Sequence, residues 1–290
     1  MLKKIRCRGI VEDDFAAVSG LLCEGFKGRP QGYWLAGFER LRRREVPEGY
    51  QRYGLALEAD GTIVGAILLI ASTRNVDGEA AIYSNVAGWY IKPEFRSYAQ
   101  MLVSTALRRK DTTYVNTSAA PHTWPIVENQ GYTRYCAGLF FALAPLRPRV
   151  SGVRIQQVHA KGNPGDIEAL ASYGLLQRHA AWGNISLVCR EGDRSWPFIF
   201  QPFRIRSGRI WTPVALTIHA PDRDELVRLA GNIGWHLLRH GVPVIAMDAD
   251  ARVPGLIGVY TDKRGRKYFK GPRQPRQCDL TDTEFAIFGI

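Results

Sequence analysis

The stretch Gly88-Trp-Tyr-Ile-Lys-Pro-Glu-Phe-Arg-Ser-Tyr-Ala-Gln-Met-Leu-Val103 decides how this chain is read. Its first four residues close a strand expected over 79–91. Pro93 cannot continue a central strand, and an apolar periodicity resumes in Leu102, Val103, Ala106 and Leu107, which predicts a helix over 96–110. A helix start presents unpaired backbone N–H groups and a partial positive charge, which together suit a pyrophosphate, and Arg96 can add a guanidinium.

Outward from that stretch, the period of the apolar residues sorts the first half into elements. Residues 13–26 read as a helix that Asp13 or Asp14 can cap, with Phe15, Val18, Leu21 and Leu22 on one face. A second helix is expected over 33–44. Strands follow at 53–58 and 62–72, joined by Asp60-Gly61, whose residue types suit a tight hairpin turn. Beyond the central helix come a strand at 113–117, a short helix at 121–130 and a strand at 132–143. The order ααβββαβαβ is not a strict alternation, so a mostly antiparallel sheet with helices on its faces is expected rather than a doubly wound one. The second half reads as a weaker echo. It has a helix at 166–179, strands at 185–190, 198–206 and 210–219 with a turn at 207–208, a long helix at 222–240 and a strand at 242–248. A final ribbon is expected from 256–261 and 267–269. The proline-rich run Leu143-Ala-Pro-Leu-Arg-Pro-Arg149 is the expected boundary between units 1–145 and 151–290.

With these residues in place, the first half resembles the GNAT superfamily of acyl-CoA-dependent N-acyltransferases. Ile91, Pro93 and Arg96 match its acetyl-CoA signature, in which Arg/Gln-x-x-Gly-x-Gly/Ala opens the helix; Ala99 and Met101 stand where the glycines are usual. The paired first helices, the hairpin before the signature strand and the closing Gly131-Tyr132 agree in order, so the likeness covers roughly residues 5–145. The fold class implied is mixed α/β, with two GNAT-like halves arranged in tandem, each a mostly antiparallel twisted sheet flanked by helices. The resemblance further implies that an acetyl-CoA or other acyl-CoA donor lays its pantetheine along Trp89, Tyr90 and Ile91, with Asn116 on the amide. The pyrophosphate would lie over Arg96, Ser97, Tyr98, Ala99, Gln100 and Met101. An unknown amine acceptor then attacks the thioester directly. The usual acid, a Tyr four residues before the closing Gly, is replaced by Val127. Tyr132, Tyr135 and His122 are nearby substitutes, and Glu128, Tyr83 or Asn85 are candidate bases. The second half carries acids at the matching helix start, in His219-Ala-Pro-Asp-Arg-Asp224, where phosphate is repelled. It is expected to be a degenerate, acceptor-side partner.

Composition narrows the remaining classes. The chain is 46% apolar and 23% charged, the ordinary range for a packed globular protein. Five scattered cysteines without a CxxC argue against a disulfide framework or a zinc site. His236 and His240, one helical turn apart, lack a third ligand. No apolar run is long enough to span a membrane. Acids at Glu12, Asp13 and Asp14 interrupt the charged start where a signal peptide would turn apolar, so a cytoplasmic protein is expected. The net charge of +12 suits a polyphosphate donor or an acidic acceptor. Two alternatives stand beside the transferase: a GNAT-shaped binding protein without catalysis, and a nucleic-acid-binding protein suggested by Lys267-Tyr-Phe-Lys270. The second is the weaker, and a homodimer is compatible with either.

Overall fold

The computed structural model describes residues 4–76, 78–162, 165–207 and 209–290. Met1 to Lys3 of the charged start and Gly208 of the expected 207–208 turn lie outside the described residues. The first half runs β1 (Ile5–Gly9), α1 (Phe15–Gly25), α2 (Gln31–Arg42), β2 (Gly54–Ala59), β3 (Thr62–Val76), β4 (Glu79–Ile91), α3 (Ala99–Ala106), β5 (Thr113–Asn116), α4 (Trp124–Asn129), β6 (Thr133–Cys136) and β7 (Gly138–Ala142). The second runs β8 (Arg154–Val158), α5 (Tyr173–Ala181), β9 (Ile185–Glu191), β10 (Arg194–Ser207), β11 (Ile210–His219), α6 (Arg223–Arg239), β12 (Val244–Ala249), β13 (Gly258–Thr261), β14 (Lys267–Lys270) and α7 (Glu284–Ile287).

These strands form two mixed, mostly antiparallel seven-stranded sheets, ordered β1-β2-β3-β4-β5-β14-β6 and β13-β7-β12-β11-β10-β9-β8. The expected tandem arrangement is present, and it contains a reciprocal exchange. β7 leaves its own half to sit between β12 and β13, and β14 returns to sit between β5 and β6. The expected single strand at 132–143 is therefore two strands in two sheets, broken at Ala137, whose N–H donates to Asp250 Oδ1 at 2.7 Å. The expected ribbon of 256–261 with 267–269 does not form. Its two strands pair in different sheets, β13 with β7 and β14 with β5 and β6. The boundary run 143–149 does separate β7 from β8, yet it is packed rather than a free tether. Its backbone lies against α6 where Gly231 and Gly234 stand, and a Cβ at Gly231 would collide with Arg147 O.

β3 is buried on both faces, which explains its unbroken apolar run. Ala66, Leu68 and Ile70 face α1 and α2, while Ile67 and Leu69 face α3. The α1/α2 side of the first sheet and the α5 side of the second share one core, closed by the C-terminal residues Leu280 to Phe288. α6 covers the other side of the second sheet, burying Leu226, Leu229, Ile233 and Leu237 at a helical spacing. Each such fully buried side chain contributes about 1.5–3 kcal/mol.

Several expected boundaries move. The Asp60-Gly61 turn takes positive φ at both residues, +48° and +83°, as a two-residue hairpin requires. Asp14 does not cap α1 through its side chain; its carboxylate instead accepts from the Val11 N–H at 2.9 Å and from Arg8. The expected helix at 166–179 is a 3₁₀ turn, Gly165–Ile167, followed by α5.

Candidate active site

β4 and β5 are parallel and pair through only three rungs, Tyr83↔Thr113, Ser84↔Tyr114 and Asn85↔Val115. β5 then ends at Asn116, which pairs with Tyr268 of β14, while β4 continues for six residues to Ile91. The two strands part at Asn85, whose side-chain amide donates to Val115 O at 3.2 Å in place of the next rung. On its other side β4 carries an extra residue. Ala87 and Tyr90 face Leu68 and Ala66, so three steps on β4 oppose two on β3. Gly88 sits in this bulge at φ +51°, and a Cβ there would approach Leu68 Cδ1 to 2.8 Å. Among the described residues, the β4 backbone edge beyond Asn85 has no strand partner on the β5 side.

The expected donor-contact residues line this edge and its exit. Trp89 and Tyr90 are half-buried, packed against the α3-side and α1-side cores respectively, and Ile91 is buried. Arg96, Ser97, Tyr98, Gln100 and Met101 are exposed, and Ala99 and Asn116 are half-buried. Met101 thus points to solvent rather than into the core, while its carbonyl accepts from Ser104 and Thr105.

The exit turn differs from the expected open helix start. Pro93–Tyr98 is wound as a 3₁₀ turn, anchored by buried Phe95, and α3 runs only from Ala99 to Ala106. The i→i+3 bonds of that turn occupy amides that a phosphate would otherwise meet. The cause is local. Among the described residues no backbone position between Lys92 and Met101 takes positive φ, because Ala99 and Met101 replace the glycines that favour it, and a 3₁₀ turn needs none.

The expected acid–base residues are not brought together. Tyr132 is buried in the core beside α3, and burial pushes its phenol well above the usual range. Tyr135 is buried likewise, its ring edge-on to Phe269. His122 is exposed on the turn Pro121–Thr123. Glu128 accepts from the Tyr268 phenol at 2.9 Å. Among the described residues no hydrogen bond joins any two of Tyr132, His122 and Glu128.

The residue that does reach the parting of β4 and β5 comes from the far end of the chain. Glu284 opens α7; its N–H donates to Asn85 Oδ1 at 2.9 Å and its carboxylate accepts from Thr117 Oγ1 at 2.9 Å. Burial raises its pKa, only partly opposed by hydrogen bonds from Ser118 and from its own backbone. Nothing local in the sequence announced it, since its partners lie 167 and 199 residues away. The segment carrying it is clamped by both halves. Tyr33 donates to Gly289 O, Asn184 to Ala286 O, and Arg40 to Ile287 O, while Phe288 packs on Trp34 and Phe38.

No protein-family model and no curated protein matches the chain. Solved structures do. A GCN5-related N-acetyltransferase from Kribbella flavida aligns at TM-score 0.58 and 14% identity, over 92% of this chain and 71% of that one. A GCN5-related N-acetyltransferase from Anabaena variabilis aligns at TM-score 0.56 and 12% identity, over 92% and 72%. A tandem GNAT protein from the clavulanic acid biosynthesis pathway aligns at TM-score 0.51 and 13% identity, over 93% of this chain and 100% of that one. At such identities the likeness is one of fold. The chain has a tandem GNAT-like α/β architecture, two mixed sheets each flanked by helices.

Proposed function

We propose that this protein is an acyl-CoA-dependent N-acyltransferase that moves an acyl group from the thioester to an amine, with residues 1–145 as the donor-side unit and 151–290 as a degenerate, acceptor-side unit. The carrying observation is the parting of β4 from β5 at Asn85 beside the Gly88 bulge. An open strand edge suits a pantetheine arm, whose two amides pair with backbone as an added strand would. The donor would run along Trp89, Tyr90 and Ile91, with Asn116 across from it. At the exit the 3₁₀ turn leaves side chains to hold the pyrophosphate, so Arg96 would carry most of that contact, with Ser97, Tyr98 and Gln100 beside it.

In the reaction the amine forms the new C–N bond, the C–S bond breaks, and the departing thiolate takes a proton. Glu284 is the best-placed group to handle that proton, because it lies at the parting and burial favours its protonated form. Tyr132, His122 and Glu128 have no such placement. The start of α6, the matching helix of the second half, is unsuited to a phosphate. Asp222 caps α6 through the Asp224 N–H at 3.0 Å, and Asp224 and Glu225 add negative charge to its first turn.

A second reading, a GNAT-shaped binding protein without catalysis, is favoured by the closed amides of Pro93–Tyr98. Calorimetry with acetyl-CoA and longer acyl-CoAs, on the wild type and on Arg96→Ala, separates the two when paired with thiol release in the presence of amines. Binding that weakens about tenfold in Arg96→Ala, with thiol released, is expected. Binding without thiol release supports the second reading, and no binding overturns the donor site. The aromatic-basic run that suggested nucleic acid is spent inside the fold. Lys267 pairs with Asp248 at 2.6 Å, Tyr268 is fully buried, and Lys270 donates to Gln130 O.

A further inference from the structure

One rung before the parting of β4 and β5, on the side of the first sheet that faces α3, the packing leaves a cavity of about 180 Å³. It lies under the C-terminal end of α3, whereas the proposed donor exit is at the N-terminal end. Its origin is compositional. Where α3 ends, the sheet and helix present the small residues Ala71, Ser84 and Ala106, and Gly9 and Gly49 adjoin them. Leu55 and Leu69 complete an apolar floor. Protein interiors pack closely, and an apolar cavity of ~150 Å³ holds a ring the size of benzene.

Two features give this cavity a ligand chemistry. The first is Ser84, whose residue is 2% exposed and whose hydroxyl has no hydrogen-bond partner among the described residues, although it lines the cavity. The hydroxyl opens to the cavity, where a bound polar atom can pair with it. The second is the mouth, where Arg108 and Arg109 stand with no acid in the lining. Arg109 is held in place, stacked 4.2 Å over the Tyr50 ring and donating to Gly49 O at 2.7 Å. Arg108 is exposed and has no ion pair or hydrogen bond from its side chain among the described residues. Arg8 also borders the space, but Asp14 and Glu58 hold its guanidinium.

We propose that this cavity binds a small amphiphilic carboxylate, with its apolar body over Leu55 and Leu69, a polar atom within reach of Ser84, and its carboxylate at Arg108. The site is independent of the acyl-transfer reading, and either can fail alone.

Hexanoate and hexanol, which differ at the headgroup, test it by calorimetry and thermal shift on the whole protein. Wild type is expected to bind hexanoate about tenfold more tightly than hexanol. Arg108→Ala is expected to remove that preference while leaving acetyl-CoA binding unchanged. Ser84→Leu, which fills the space, is expected to abolish binding of both probes. Should that variant not fold, Arg108→Ala on the exposed rim still decides. Equal binding of hexanoate and hexanol to wild type, no binding of either, or hexanoate binding that survives in folded Ser84→Leu overturns the proposal.

Discussion

His179 has no exposed surface, and neither of its ring nitrogens finds a partner, although the ring packs 4.7 Å from Trp182. Burial holds its pKa down to about 3, against 6.5 for a free imidazole, so the folded protein keeps it neutral. The depressed value means the unfolded chain takes up the proton first. The stability this residue contributes is complete above about pH 6.5 and is lost as pH falls toward 3, at up to about 1.4 kcal/mol per pH unit. Asp279 and Asp282 add to the same trend. Burial alone would raise both, but Arg74 beside the first and Arg44 beside the second bring them below the usual carboxylate range. Their contribution is therefore also lost in acid. His179→Phe is expected to leave stability at pH 7 unchanged or higher, because it removes two unpaired polar atoms. It is also expected to flatten the fall between pH 6.5 and 4, which urea melts across that range will read.

At the scale of an element, β4 carries the functional argument, and its bulge depends on Gly88. An L side chain at φ +51° is disfavoured, and its Cβ would press on Leu68. Gly88→Ala is expected to cost about 1–3 kcal/mol in urea melts and to weaken acetyl-CoA binding, since the bulge re-aims the strand edge. Gly61→Ala, at φ +83° in the solvent-facing hairpin, is the control: comparable strain without an effect on donor binding. Without glycines at 99 and 101, the chain winds as a 3₁₀ turn that uses its own amides, so under the proposed function a phosphate there would be held by side chains.

Across the whole molecule, the strand exchange is secured by a buried ion pair. Lys267 on β14 of the first sheet meets Asp248 on β12 of the second at 2.6 Å, and neither side chain is more than 2% exposed. The Cys278 N–H also donates to Asp248 Oδ2, at 3.3 Å, tying in the C-terminal segment. Removing one partner leaves an uncompensated charge in the interior. Lys267→Met is expected to cost about 3–5 kcal/mol, and Lys267→Met with Asp248→Leu to recover most of it. Because each sheet contains a strand of the other half, both sheets are expected to unfold in one transition. Two separate calorimetric transitions would show that the halves are held more loosely than the exchange implies.

The amino-acid sequence determined the elements and the fold class, because apolar periodicity, turn chemistry and helix breakers act over a few residues. It also determined that the chain from Gly88 to Val103 passes from strand through turn to helix, and that α6 begins among acids. Tertiary structure decided the rest. The break at Ala137 is invisible in an apolar run that suits a single strand, since the choice between one sheet and two depends on which distant edge is free. The 3₁₀ winding of Pro93–Tyr98, by contrast, has a local cause in the missing glycines, but the amide bonding of so short a turn shows only once its φ values are set. Tyr132, His122 and Glu128 were near one another in sequence, but the core, the surface and Tyr268 claimed them separately. Glu284 reached the parting of β4 and β5 only because the C-terminal segment threads between the halves, a placement that long-range packing alone sets.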